Sequence, residues 1–389
     1  MAVLPVVPAW VQDQILHNPV TKYTRRVDIY EANGTSIWRR DVPIVSGSIT
    51  VDQARAERRT ADLVLYNLEG SLDRFPGGGL WYDKVVKIYM GIDTPAGKWE
   101  TILGTFLIDT IAPDLETGEI GVTCRDYAKK MSFDLPYTLG WAANTPIEVI
   151  IGNIAAGVGV TAEVPHTAAY VYEETFIEAG KARWAACYEL ATAHGYDLFF
   201  KPDGTLKMVE FADPATEAPE IRFETGARSN VSTIGYRVDD TRIRNHIAVT
   251  GEDPEGAPVW GEAINENLAS PTNIFDLGYR TKHIKSDWVQ SFEQCQDYAQ
   301  RMLAYESLES YEANLGILVF PWLEVGCIAQ FVDPNKAFGD PDEYLLSNFS
   351  INLDLSPISA TLKRVTNVIN RQKIYPAVDL FPSYQTYPN

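Results

Sequence analysis

Two runs decide the fold: Ser48-Ile-Thr-Val-Asp52, then Arg59-Thr-Ala-Asp-Leu-Val-Leu-Tyr66-Asn-Leu-Glu-Gly70. Apolar and polar residues alternate in both, the period of strands with one buried face. The pattern returns in Ile234-Gly-Tyr-Arg-Val238-Asp239, followed by Arg244-Asn-His-Ile-Ala-Val-Thr250-Gly251. Three further blocks follow each copy in the same order. Trp81-Tyr-Asp-Lys-Val-Val-Lys-Ile88 resembles Trp322-Leu-Glu-Val-Gly-Cys-Ile328. Leu103-Gly-Thr-Phe-Leu-Ile108 matches Leu346-Ser-Asn-Phe-Ser-Ile351, and Ile120-Gly-Val-Thr-Cys-Arg125 matches Ile358-Ser-Ala-Thr-Leu-Lys363. The common order predicts a duplicated β unit, each copy a small antiparallel barrel or curled sheet.

Working outward, Tyr23 to Tyr30 reads as a strand and Asn33-Gly34 as a hairpin turn. Val85–Met90, Ile102–Ile108 and Ile120–Cys124 extend the first unit, and Phe75 to Leu80 is a Gly-rich loop. From about residue 136 the period changes. Thr145-Pro146 opens a helix with Ile147, Ile150, Ile151 and Ile154 on one face, and Gly157 ends it. A second helix covers Arg183 to His194, with Gly195 as its stop. A hairpin then turns at Pro202-Asp-Gly-Thr205. Residues 252–282 look loop-rich, and Ser286-Asp-Trp288 starts a helix that runs through Tyr305. The expected fold is β-rich α+β. Two similar β-barrel domains flank an α/β domain, with a helical insertion in the second barrel. The expected boundaries are an arm at 1–22, a first β domain at 23–135 and an α/β domain at 136–222. The second β domain takes 223–260 with 308–368, the insertion 261–307 and an extended Tyr- and Pro-rich tail 369–389.

The chain has 389 residues and a formal charge of −19, with 46% hydrophobic and 22% charged residues. That composition excludes global disorder and allows several buried cores. No run of about 20 apolar residues could span a bilayer, and MAVLPVVPAW lacks the basic start of a signal peptide. Cys124, Cys187, Cys295 and Cys327 show no CxxC spacing, so reduced thiols in a protein made in a cytoplasm are expected rather than disulfides or zinc. The charge is uneven: residues 1–60 carry net +2, 361–389 net +3, and the middle net −24. Such a middle repels a phosphate backbone and disfavours a sequence-reading nucleic-acid binder.

Catalytic signatures are missing. The five histidines form no HExxH or other metal pair, and His194 is expected to cap a helix end. Gly77-Gly78-Gly79 is followed by Leu80-Trp81, not by the Lys-Ser or Lys-Thr of a phosphate loop. No GxSxG elbow surrounds any serine. Carboxylate pairs such as Glu173-Glu174 and Asp239-Asp240 are expected by chance among 52 acids. The segment Asp333 to Asp342 has oxygen ligands that could hold calcium but lacks the DxDxDG spacing, and it reads as a solvated hairpin loop. No catalytic residue, cofactor-binding residue, cofactor or metal ligand is therefore expected. The aromatic load (9 Trp, 20 Tyr, 15 Phe) points to interfaces or to sugar binding. Phe75, Leu80, Trp81, Trp322, Tyr375 and Phe381 are the candidate interface residues.

The block Ile49-Thr-Val-Asp52 with Arg58-Arg-Thr-Ala-Asp-Leu-Val-Leu-Tyr66-Asn-Leu-Glu-Gly70 resembles the N-terminal signature of minor tail proteins of long-tailed actinobacterial phages. Leu103-Gly-Thr-Phe-Leu-Ile-Asp109 with Val122-Thr-Cys-Arg-Asp-Tyr-Ala-Lys-Lys130 is similar to their next block. Asn245-His-Ile-Ala-Val-Thr-Gly-Glu252 and Ser270-Pro-Thr272 to Tyr279 fit as well. The resemblance spans about residues 23–368 and extends to baseplate-hub-like proteins. It implies a homotrimer whose two tube-type β domains per chain make a pseudo-sixfold ring at the distal end of the tail. It also implies contacts with a distal tail protein ring, the tape-measure protein and a central fibre or other tip proteins. Genomic DNA would pass through without specific binding, with no membrane anchor and no enzymatic activity. A carbohydrate-binding adhesion module of the tail and a cell-wall hydrolase are the alternatives.

Overall fold

The structure is a computed structural model. It describes residues 6–17, 22–67, 70, 72, 79–114, 116–211, 213–226, 229–238, 240–308, 311–332 and 342–365. It is β-rich with few helices. A 13-stranded sheet dominates, and its longest path runs through both sequence repeats. One half of that path holds, in spatial order, Val231–Val238, Tyr311–Ile317, Ile358–Arg364 and Asp342–Asn352. The other half holds Ile44–Asp52, Arg59–Tyr66, Glu119–Arg125, Gly97–Asp114, Val85–Thr94 and Tyr23–Tyr30, then short Ile37–Arg39. Ile328–Val332 pairs with Asp342–Asn352 and carries Ile221–Glu224 on its other side.

The two halves have the same strand order. In chain order the first strand pairs with the second, the second with the last, the last with the long strand, and the long strand with the one before it. Two β-bulges recur at equivalent places. The first-strand ladder slips between Ile44 and Ser46 in one half and between Val231 and Thr233 in the other. The long-strand ladder slips between Ile108 and Thr110, and between Leu346 and Asn348. Bulges re-aim a strand and are fixed features of a fold, so a shared pair marks shared architecture. The halves part at their ends: Tyr23–Tyr30 runs antiparallel to its neighbour, Ile221–Glu224 parallel.

Register corrects the sequence alignment twice. The strand after Val231–Val238 in the sheet is Tyr311–Ile317, not the Arg244–Gly251 segment. His246–Glu252 instead lies in a separate three-stranded sheet between Pro258–Ile264 and Thr281–Lys285. The region read as loop-rich thus contains the strand Pro258–Ile264, and Thr281–Lys285 starts at its end. The long strands also align differently: Phe106-Leu-Ile108 falls on Tyr344-Leu-Leu346, five residues from the match read in the sequence.

The helix Phe292–Glu306 covers the three-stranded sheet. It starts later than Ser286 because Ser291 is its cap, accepting from Gln294 N at 3.1 Å while Gln294 Oε1 accepts from Gln290 N at 2.8 Å. Its apolar face packs Cys295, Ala299 and Leu303 against Ile247, Val249 and Val259. Between the sheet halves in sequence lie the helices Ile147–Ala156 and Arg183–Ala193 and the hairpin Tyr196–Phe200/Leu206–Glu210. They share a core of Ile147, Ile150, Ile151, Ile154, Cys187, Leu190 and Phe200. Gly157 and His194 are the C-terminal caps. Pro146 caps the start of its helix rather than opening the first turn. Helix Ala9–His17 in the N-terminal arm buries Val11 and Ile15 on the main core.

Candidate assembly interface

The two halves of the sheet meet at one antiparallel joint. Ser48–Asp52 pairs with Asn348–Asn352 in the register Val51 to Phe349 and Ile49 to Ile351. Gln53 N donates to Ser347 O at 3.0 Å and Leu353 N to Gly47 O at 2.8 Å at the two ends of the ladder. Ile49, Val51, Phe349 and Ile351 are all buried in the shared core. The joint is therefore continuous sheet with a dry face, not two surfaces in loose contact.

Charges and rings lock the joint from its flanks. Arg59 is 2% exposed and pairs with Glu324 across the halves. The adjacent Arg58 donates to both oxygens of Asp197 at 2.8 and 2.7 Å and lies 4.6 Å over the Phe199 ring, tying the first half to the α/β region. Burial opposes the Arg58 charge, but Asp197 more than compensates and raises its pKa. Tyr23 donates to Val319 O at 3.1 Å, and Arg25 donates to Leu353 O. Asp126 accepts from Arg59 N and Ala128 N, both at 3.0 Å, and burial pushes its pKa up to about 6.

The candidate interface residues fall apart in space. Trp322 is buried, edge-on to Trp99 at 5.9 Å and to Phe320 at 5.5 Å. It is packing at the joint, since Trp99 belongs to the other half. Leu80 is fully buried in the same core. Trp81 is half-buried against Tyr82, ring centroids 5.0 Å apart. Phe75, Tyr375 and Phe381 lie outside the described residues. Sequence reading missed the roles of Arg58 and Arg59. Their signal was on view: two adjacent arginines opening a strand whose other inward positions are apolar.

Among the described residues the titratable side chains are structural in their contacts. All four cysteines are buried free thiols, and burial raises every one of their pKa values, Cys295 to about 12. His194 Nδ1 lies 2.9 Å from Leu190 O at its helix end, and burial pushes its pKa down. Among the described residues no three His, Cys, Asp or Glu side chains stand together as metal ligands. Also among them, no helix is long and apolar enough to cross a membrane. A cavity of about 720 Å³ is lined by Glu173, Glu174, Glu178 and Asp287 with Lys181 and Trp288. Its mouth is acidic and suits no anion.

No protein-family model matches the sequence, and no curated protein matches it. Solved structures do. A tail protein from Neisseria meningitidis shares 16% identity at a TM-score of 0.60, over 87% of this chain and 96% of that one. A 43 kDa prophage tail protein from Shewanella oneidensis shares 14% identity at 0.58, over 87% and 98%. A prophage tail protein from Listeria monocytogenes shares 10% identity at 0.52, over 87% and 94%. The chain has a phage tail-protein fold. At these identities the likeness rests on architecture.

Proposed function

We propose that this chain is a structural hub of a phage tail tip, found in the virion at the distal end of the tail. Three copies form a ring of six similar β units, which joins a sixfold tail tube to a threefold tip. Each half of the main sheet then acts as one tube-type β-barrel domain, and the insertion covers 240–308 rather than 261–307. The observation that carries this reading is the repeated strand order with its two shared bulges, in a tail-protein fold. A chain with two like units offers six equivalent positions per trimer, which a sixfold neighbour can engage.

The neighbours in this reading are a distal tail protein ring, the tape-measure protein and a central fibre or other tip proteins. The net −24 of residues 61–360 suits a channel through which DNA passes without sticking. The role is non-enzymatic and needs no cofactor. Electron cryomicroscopy of assembled particles tests it. Three copies in a pseudo-sixfold collar around an axial channel are expected. A peripheral position, or no association with the particle, would overturn the reading. The adhesion alternative keeps one observation: Tyr170 and Tyr172 are exposed, 5.1 Å apart and edge to face. Retention on immobilised wall glycans that is lost with Tyr172→Ala would favour it.

A further inference from the structure

The cavity of about 720 Å³ lies at a seam. Its wall takes Phe176, Glu178 and His194 from the α/β region, and Asp287, Trp288 and Gln290 from the connection between Thr281–Lys285 and helix Phe292–Glu306. Trp288 packs against the cores of both regions. Gln290 Nε2 donates to Glu173 Oε1 at 3.1 Å and ties one side to the other. A second cavity of about 270 Å³ shares Glu173, Asp287 and Gln290 with the first, so the hollow is an elongated cleft. Clefts of this size at the seam of two packed units are where ligands bind.

Two features give the cleft its chemistry. The first is a fixed aromatic ring. Phe176 is 58% exposed in the wall, on a strand that pairs it with Gly140. A Cβ at Gly140 would meet Phe176 Cε1 at 2.8 Å and Cδ1 at 2.9 Å, so the ring is seated on the glycine and its remaining surface is bare. The second is a polar wall that accepts far more than it donates. Among the described residues no lysine or arginine pairs with Glu174, Glu178 or Asp287, and Lys181 is held by Glu189 at 2.6 Å. His194 donates Nδ1–H to Leu190 O at 2.9 Å, because a carbonyl can only accept. Burial, aided by the charge of Arg301, lowers its pKa, so the imidazole is neutral and Nε2 remains an acceptor.

We propose that this cleft binds a saccharide, and an amine-bearing one in preference to a neutral one. A sugar ring supplies what the wall lacks and fits what it has. Its edge carries several O–H donors for the carboxylates and for His194, and its C–H face is apolar and can lie on the Phe176 ring. An ammonium group adds attraction to the surplus negative charge and to the aromatic ring. An anionic sugar meets the same surplus as repulsion. The elongated shape suits more than one sugar unit. The assignment goes beyond the hub reading and stands whether or not the copies form a ring. It is also separate from the adhesion reading, whose Tyr172 lies outside the wall.

Titration calorimetry on the full chain tests this, in mildly acidic buffer where a sugar amine is charged. The probes are the tetrasaccharides of glucosamine, N-acetylglucosamine and galacturonic acid, with tri-arginine as the peptide comparison. The glucosamine probe should bind most tightly, the N-acetylated one more weakly, and the galacturonate not at all. Phe176→Ala should weaken both bound sugars about tenfold. Phe275→Ala removes an exposed ring elsewhere and should change neither by more than about twofold. Glu178→Gln with Asp287→Asn should erase the preference for the amine and keep the neutral sugar bound. No binding by either sugar, or binding that survives Phe176→Ala unchanged, overturns the proposal. So does galacturonate bound as tightly as the others, or tri-arginine bound more tightly than both sugars, which would make the cleft a seat for a basic segment of a partner. A neutral sugar bound as tightly as the amine-bearing one overturns the stated preference. None of these results bears on the ring, which particle imaging decides.

Discussion

At the scale of single residues, two buried groups set the chemistry of the joint. Arg59 and Glu324 face each other out of water, 2% and 8% exposed. Removing one partner strands the other. Arg59→Met should therefore lower stability by about 3–5 kcal/mol, read as a urea midpoint shift. Adding Glu324→Leu should recover most of that, because an apolar pair replaces two desolvated charges. A double variant as unstable as the single would mean that the arginine's packing, not the charge, matters. Asp126 works in the opposite sense. Its pKa is raised to about 6 by burial, so the folded state holds the proton more tightly than the unfolded one. The stabilisation is present below the ordinary carboxylate value and is lost as pH rises through about 6. Asp126→Asn removes the titration and offers one oxygen where two backbone N–H groups need acceptors. It should cost about 1–3 kcal/mol. The gap between wild type and variant should widen by about 1 kcal/mol from pH 7 to pH 5. A gap that narrows on acidification would contradict the raised pKa.

At the scale of elements, the contact of helix Phe292–Glu306 with its sheet depends on the missing side chain of Gly261. A Cβ there would lie 2.5 Å from Gln296 N and 2.7 Å from Cys295 C, both backbone atoms that cannot swing aside. Gly261→Ala should push the helix off the sheet and cost about 2–3 kcal/mol in a denaturant melt, whereas Gly235→Ala should be near neutral. Equal effects would mean that the helix contact is loose. Elements of this kind were legible in part. The hairpin at Pro202–Thr205, the caps at Gly157 and His194 and the duplicated strands follow from turn chemistry and period. The location of the insertion did not. His246–Glu252 alternates apolar residues as Tyr311–Ile317 does, and only pairing distinguishes them. The long strand was misaligned because two aromatics, Tyr344 and Phe349, stand five residues apart, and either can match Phe106. Extra bulge residues break the alternation that would have decided between them. The joint was least legible, because the pairs Arg59–Glu324 and Trp99–Trp322 join positions far apart in the chain.

At the scale of the molecule, apolar burial and net charge act against each other. Each copy carries −19, so bringing three together works against long-range repulsion. An interface held by apolar burial and backbone hydrogen bonds, as the joint within the chain is, is hardly affected by salt. Salt should therefore screen the repulsion and leave the attraction intact. The Debye length falls from about 30 Å at 0.01 M to about 8 Å at 0.15 M. The apparent trimer affinity should rise several-fold between those concentrations, measured by sedimentation over a dilution series. Weaker association at higher salt would mean that opposite charges, not apolar burial, hold the copies together. Stronger association would leave charge as the brake on the proposed assembly and apolar burial as its drive.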